Sequence, residues 1–467
     1  MPGSRSAWTL AIVSIALFMV TLDNLVVTTA LPSIRADLGA SIEALEWTVN
    51  GYTLAFAVLL LTGAAMGDRF GRRRMFLIGL GVFTAASAAA ALAPDTGSLI
   101  AARAVQGAGA AIIAPLSLTL LSEAFPGERR GMALGVWSGV SGLGVALGPL
   151  VGGAVIAGLS WQWFFWLNVP IGIALLPLAA RGLLESFGPA RRLDLPGLAL
   201  GSAGLLGVVY GIVRGNAAGW GSTEIVATLI AGVALLAAFM AWERRAAEPL
   251  LPLRFFRSRG FAATNGVSLT MFFGIFGAIF LLAQFFQTVQ GYSPLEAGLR
   301  TLPWTGMPMI VAPIAGMLSD RIGSRPLMAA GLALQAVAIV WLAQVTSPTV
   351  PYAELVPAFV MGGTGMALVF APAANAVLSA VRPAEAGQAS GANNAIRELG
   401  GVLGVAVLAS VFSGAGDFTS PQAFVDGLIP ALWVGAAVLA VGALIALLVP
   451  GRRRPAVSEA VAEPAAA

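Results

Sequence analysis

The 467-residue chain has no cysteine and no histidine, and only 10% of its residues are charged. Disulfides, thiolate nucleophiles, imidazole bases and His/Cys metal sites are therefore excluded. Any proton chemistry must use Asp, Glu or water. Lysine is absent as well: all 26 basic residues are arginine, which reads as coding bias rather than mechanism. The net charge of +4 does not suggest nucleic acid, because the arginines sit in short connections between apolar runs instead of forming one basic face.

What is present is hydrocarbon. Hydrophobic residues make up 58% of the chain, and continuous apolar runs of about 20 residues recur from end to end. The runs do not alternate, which disfavours a β-barrel. The expected fold class is an all-α polytopic membrane protein with fourteen spans, at approximately 8–31, 45–66, 75–93, 98–121, 132–158, 163–180, 194–213, 225–242, 261–287, 296–318, 327–345, 353–378, 391–412 and 428–449. The first run is too long for a signal peptide and is read as an uncleaved helix. With the N-terminus inside, twenty-one arginines fall in inner segments and three in outer loops. The positive-inside rule then puts both termini in the cytoplasm of a cell-membrane protein.

One acid stands out. Asp23 lies late in the first run, where hydrocarbon is expected, and an ionisable group there marks function by default. A basic residue at comparable depth is Arg103 in the fourth span. By rise per residue, Asp23 lies about 12 Å and Arg103 about 7 Å below the outer surface, both in the outer half. Such a pair can act as a protonation switch: Arg⁺ favours the ionised acid, desolvation the neutral one, and water access tips the balance. It also fits a static ion pair that fixes packing.

Two loops repeat each other. Gly67-Asp68-Arg69-Phe70-Gly71-Arg72 follows span two, and Ser319-Asp320-Arg321-Ile322-Gly323 follows span ten. The spacing implies two six-helix halves with a helix pair inserted between them, in a 6+2+6 plan: 1–185, then an inserted pair with linkers at 186–258, then 259–450, with a disordered tail at 451–467. In span five, Gly144, Gly148 and Gly152 recur every fourth residue and make a smooth face, while Pro149 removes a backbone donor.

Taken together, these ordered motifs resemble the major facilitator superfamily, in its 14-helix drug:proton antiporter family. They include Arg103-Ala104-Val105-Gln106-Gly107, Gly144 to Gly153 and Trp161-Gln162-Trp163-Phe164-Phe165-Trp166-Leu167-Asn168-Val169-Pro170. The resemblance implies that spans one and four are neighbours, that Asp23 and Arg103 couple protons, and that Asp68, Arg69, Gly71, Arg72, Asp320 and Arg321 form a conformational latch. It implies that Gly144, Gly148, Pro149 and Gly152 form the antiporter motif. A sharper version of the latch pairs Asp68 and Arg69 with Arg397 and Glu398, which otherwise snorkel to water.

The expected function is proton-coupled multidrug efflux of lipophilic or cationic compounds by alternating access. Its rival is a dedicated exporter of one metabolite, antibiotic or lipid. Protons serve as coupling ion with no other cofactor and no metal, the partners are a small molecule and the bilayer, and the protein is expected to be a monomer rather than an enzyme. Candidate substrate-lining residues are Asn24, Gln106, Phe280, Gln284, Gln287, Trp304, Met307, Asn375 and Asn394. Phe272, Phe273 and Phe276 are expected to touch lipid. Few other embedded acids are apparent, so a monocation would compete with the proton for Asp23.

Overall fold

The computed structural model describes residues 2–125, 129–188, 193–382 and 385–451, with the side chains of some helical residues, Pro149 and Asp320 among them, outside the description. All of the expected 451–467 tail after Gly451 also lies outside it. The described residues form helices joined by non-helical connections, with no strand among them. The helices are α1 (Pro2–Leu38), α2 (Ile42–Phe70), α3 (Arg72–Ala91), α4 (Thr96–Ala124), α5 (Arg129–Gly158), α6 (Trp161–Gly182), α7 (Leu195–Ala218) and α8 (Thr223–Glu243). They continue with α9 (Arg259–Gln284), α10 (Pro294–Ile322), α11 (Ser324–Val345), α12 (Tyr352–Ser379), α13 (Ala386–Ala415) and α14 (Pro421–Ala446). Thirteen candidate spans, one per helix except α5, are long and apolar enough to cross a membrane on the described residues.

Local chemistry sets the boundaries. Ser41, Asp95, Asp194, Ser222, Ser293 and Ser420 each cap a helix start by accepting a backbone N–H. The repeated loops turn on Gly71 and Gly323, at φ 103° and 88°, a conformation that an L side chain resists. This is why both copies of the repeat carry glycine there.

α1 to α6 pack on one another, chiefly through α2 with α4, α3 with α4 and α1 with α5. α9 to α14 form a second group, through α11 with α12, α9 with α13 and α10 with α12. Across the seam, α5 meets α10, α2 meets α13 and α1 meets α9. α8 leans on α7, and α7 lies over the α2–α13 seam, where Val209 and Val213 bury against Leu54, Val402 and Ala406. At the far end of α7, Asn216 donates to the Ser410 carbonyl and, at 2.9 Å, to Ser413 Oγ.

The two groups touch closely at the ends away from the arginine-rich loops. Gln287 donates to the Thr29 carbonyl at 2.9 Å, and the Arg35 guanidinium sits 3.6 Å above the Phe418 ring. Gly153 lies so near α10 that a Cβ would come within 2.7 Å of Leu295 Cα. From this seal a cavity of about 2650 Å³ runs between the groups to the arginine-rich face, where Asp68, Arg72 and the 243–257 linker line it.

Candidate functional site

α1 and α4 are packed neighbours, and their contact brings Asp23 and Arg103 together. Both side chains are fully buried. Arg103 Nη1 donates to Asp23 Oδ2 and, at 2.7 Å, to Gln106 Oε1 one turn along α4. The other carboxylate oxygen accepts from Gln106 Nε2 at 2.7 Å and from Asn168 Nδ2 of α6 at 2.9 Å. Gln106 also donates to Ser87 of α3 at 2.9 Å, and Arg103 Nε donates to the Thr48 carbonyl of α2 at 3.3 Å. The Tyr52 ring lies 4.2 Å from the guanidinium carbon. Five helices thus converge on this cluster, and three side-chain donors, from Arg103, Gln106 and Asn168, are aimed at one buried carboxylate.

α4 reaches this position because Gly107 has no side chain: a Cβ there would run into the Tyr52 carbonyl of α2. The span-five glycines perform a related task. A Cβ at Gly144 would lie 3.2 Å from Thr21, and one at Gly152 would lie 2.5 Å from Val26, so this face of α5 lies flush on α1, the helix that carries Asp23. Gly148 is buried in the same helix.

Asp23 and Arg103 do not line the cavity, whereas their neighbours Val20, Asn24 and Tyr52 do. Of the expected substrate-lining residues, the structure puts Asn24, Gln287, Trp304, Asn375 and Asn394 in the cavity wall. It puts four elsewhere. Gln106 is drawn into the Asp23 cluster. Gln284 is buried and donates to the Phe280 carbonyl at 3.0 Å, Phe280 is buried in the core of the second group, and Met307 packs at Gly363 of α12. These helices roll their amide or ring away from the opening, a rotation that hydropathy does not encode. Phe272 and Phe273 are only 5% and 7% exposed, and Phe272 and Phe276 line the cavity, so the expectation of lipid contact is reversed for Phe272 and Phe276.

The repeated loop after α2 is tied to its own group. Asp68 accepts from Arg72 Nε at 2.9 Å and Nη2 at 2.7 Å, and Arg72 also pairs with Glu123 of α4. Glu185 accepts from the Arg73 backbone at 2.9 Å and the Arg74 backbone at 3.2 Å, fastening the segment after α6 to the start of α3. Arg69 lies beside the Phe70 ring. The expected pairing of Asp68 with Arg397 is not made in this structure. Arg397 instead lies between the rings of Phe272 and Phe370, at 4.4 and 4.5 Å, and donates to Asn394 at 3.1 Å. Arg397 and Glu398 both line the cavity. In the second repeat, Arg321 belongs to the last turn of α10, and Ser319 bonds Ser324 across Gly323 at 2.9 Å.

Sequence reading missed Asn168, Ser87 and Tyr52 as partners of the Asp23 cluster. Asn168 stood inside the Trp161–Gly172 motif and was the available signal; Ser87 and Tyr52 had none. It also passed over Glu46, a buried acid near the outer end of α2.

The family model described as "Major Facilitator Superfamily" matches residues 13–405. The cephamycin export protein CmcT of Amycolatopsis lactamdurans is 41% identical over 427 residues, covering 90% of this chain and 87% of that protein. The multidrug resistance protein Stp of Mycobacterium tuberculosis is 35% identical over 407 residues, covering 87% of this chain and 75% of that protein. Among solved structures, a partially occluded inward-open form of the xylose transporter XylE from E. coli superposes with a TM-score of 0.63 at 16% identity, over 96% of this chain and 98% of that one, a likeness of fold. With helices in two six-helix groups, a cavity between them and a matching model over most of its length, the chain belongs to the Major Facilitator Superfamily and is a multi-span membrane transporter.

Proposed function

We propose that the chain is a proton-coupled drug exporter of the cell membrane. In this reading Asp23 binds and releases the coupling proton, and Arg103 is the counter-charge that resets it. The single observation that carries the reading is a fully buried carboxylate bonded to Arg103, Gln106 and Asn168 beside, but sealed from, a large cavity. A charge so placed is costly in a bilayer and serves function by default. Rocking of the 1–185 and 259–450 groups about that cavity would open a water path past Tyr52 and Asn24 to Asp23 in one state and close it in the other. The arginine distribution supports cytoplasmic termini, so the cavity mouth faces the cytoplasm in this conformation. The loops containing Asp68, Arg69, Gly71, Arg72, Asp320 and Arg321 would latch the opposite conformation. No oligomer is needed for the mechanism, and a monomer suffices.

Relatives named for multidrug resistance and for cephamycin export support an exported, drug-like small molecule. Asn24, Gln287, Trp304, Asn375 and Asn394 offer scattered polar contacts in a mainly apolar wall, the composition of a tolerant site. The 41% identity to a cephamycin exporter also supports the narrower reading, a dedicated exporter of one compound. Purified protein in liposomes under an imposed pH gradient tests the proposal. The wild type drives a lipophilic cationic dye uphill, and Asp23→Asn, inserted and folded, does not. Gradient-driven transport by Asp23→Asn at the wild-type rate would refute the coupling role.

A further inference from the structure

Away from its mouth, the described cavity wall carries charge at only two residues, the adjacent Arg397 and Glu398 of α13. Successive helix residues point about 100° apart. Arg397 turns towards α9 and α12, where Phe272, Phe370 and Asn394 hold it. Glu398 follows Gly391 by two helical turns, and Gly391 abuts Leu61 of α2, so Glu398 faces α2 across the seam. It lies within electrostatic reach of the Arg397 guanidinium and of the Tyr52 phenol, without a salt bridge to the former. Its carboxyl makes no hydrogen bond or salt bridge with the described residues, and Oε2 is buried without a partner. Asp23 is the opposite case, with both oxygens taken and no access to the cavity.

Aromatic rings share this cavity wall with Glu398. Tyr52 and Phe56 stack on α2 with centroids 6.1 Å apart, and Phe276 lies 3.3 Å from where a Cβ on Gly401, one turn beyond Glu398, would stand. All three rings line the cavity. A carboxylate with nothing to bond, in a low-dielectric wall, is solvated only by what occupies the space before it. Ring faces beside it add attraction for the same sign of charge.

We propose that Glu398 is the counter-charge for the cationic centre of an amphiphilic substrate, whose flat apolar body lies against Tyr52, Phe56 and Phe276. The proposal rests on the exporter reading and refines it: drug cation and coupling proton occupy different carboxylates, so a monocation does not have to displace the proton from Asp23.

The test compares tetraphenylphosphonium with triphenylphosphine oxide, a neutral aryl of similar size, by tryptophan quenching on the purified full-length protein. The wild type prefers the cation, and in Glu398→Gln the cation-to-neutral affinity ratio falls about tenfold or more, with Glu398→Asp recovering part of it. On the wild type itself, tetraphenylphosphonium protects Glu398 from a hydrophobic carbodiimide, a reading that stands even where Glu398→Gln does not fold. An unchanged ratio in Glu398→Gln, a ratio lost in Asp23→Asn instead, or unprotected labelling overturns the cation site while leaving the exporter reading intact. A wild type that neither binds nor moves either probe removes both.

Discussion

Two acid–arginine pairs built from the same groups sit in the two six-helix groups, and they could hardly be treated more differently. Asp23 and Arg103 come from different helices, meet directly, and are bonded by Gln106, Asn168 and the Thr48 carbonyl, with Ser87 holding Gln106. Arg397 and Glu398 are chain neighbours that attract each other without forming a salt bridge; the cation is held by two rings and Asn394, and the acid's buried oxygen accepts no hydrogen bond among the described residues. The first pair is sealed and the second lines the cavity. Burial alone therefore does not assign a role. The number of donors aimed at a carboxylate, and what lies on its open side, separate a group whose charge is stored from one whose charge is offered.

The comparison can be broken most forcefully at Arg103. Arg103→Ala leaves the Asp23 carboxylate without its counter-charge, and thermal unfolding in detergent should show a loss of about 3–5 kcal/mol. Adding Asp23→Asn to Arg103→Gln should make the double variant more stable than Arg103→Gln alone, with a coupling energy of about 1–3 kcal/mol from the double-mutant cycle. Additivity would mean that the pair does not act as a unit. Asn168→Ala removes one of three donors and should cost about 1–3 kcal/mol, while Asn168→Asp, which sets a second acid against Asp23, should express poorly. The smallest effect belongs to the other pair: Arg397→Ala loses one hydrogen bond and two ring contacts, about 1–2 kcal/mol. Equal losses at Arg103 and Arg397 would erase the distinction drawn here.

Much of this architecture is written in the chain. Fourteen apolar runs became fourteen helices because length and hydropathy are local properties, and the Gly71 and Gly323 loops repeat because each needs the same positive φ. Asp23 and Arg103 stood out by their matched depth, since a charge in hydrocarbon has few places to go, but the packing of spans one and four that joins them came from the family resemblance. The rotation of each helix about its axis was not legible. The amides and rings of α9 and the helical turn after it divide between core and cavity, with Gln284 and Phe280 inside and Gln287 and Phe276 on the wall. An all-apolar helix has no polar stripe to announce which face is which, so packing partners decide. Asn168 shows the same limit from another side, because its meaning depends on α6 passing Asp23, a contact 145 residues apart in sequence.

The position of α7 has a mechanical consequence. Its amide at Asn216 is fastened to α13 near the sealed end, and its valines bridge α2 and α13 in the middle. A helix strapped across a seam at one end behaves as a brace beside a hinge: the unstrapped ends can swing, but parting the strapped ends means either tearing the amide from its serines or dragging α7 off α2. The extra pair thus adds a load to one direction of the rocking cycle and spares the other.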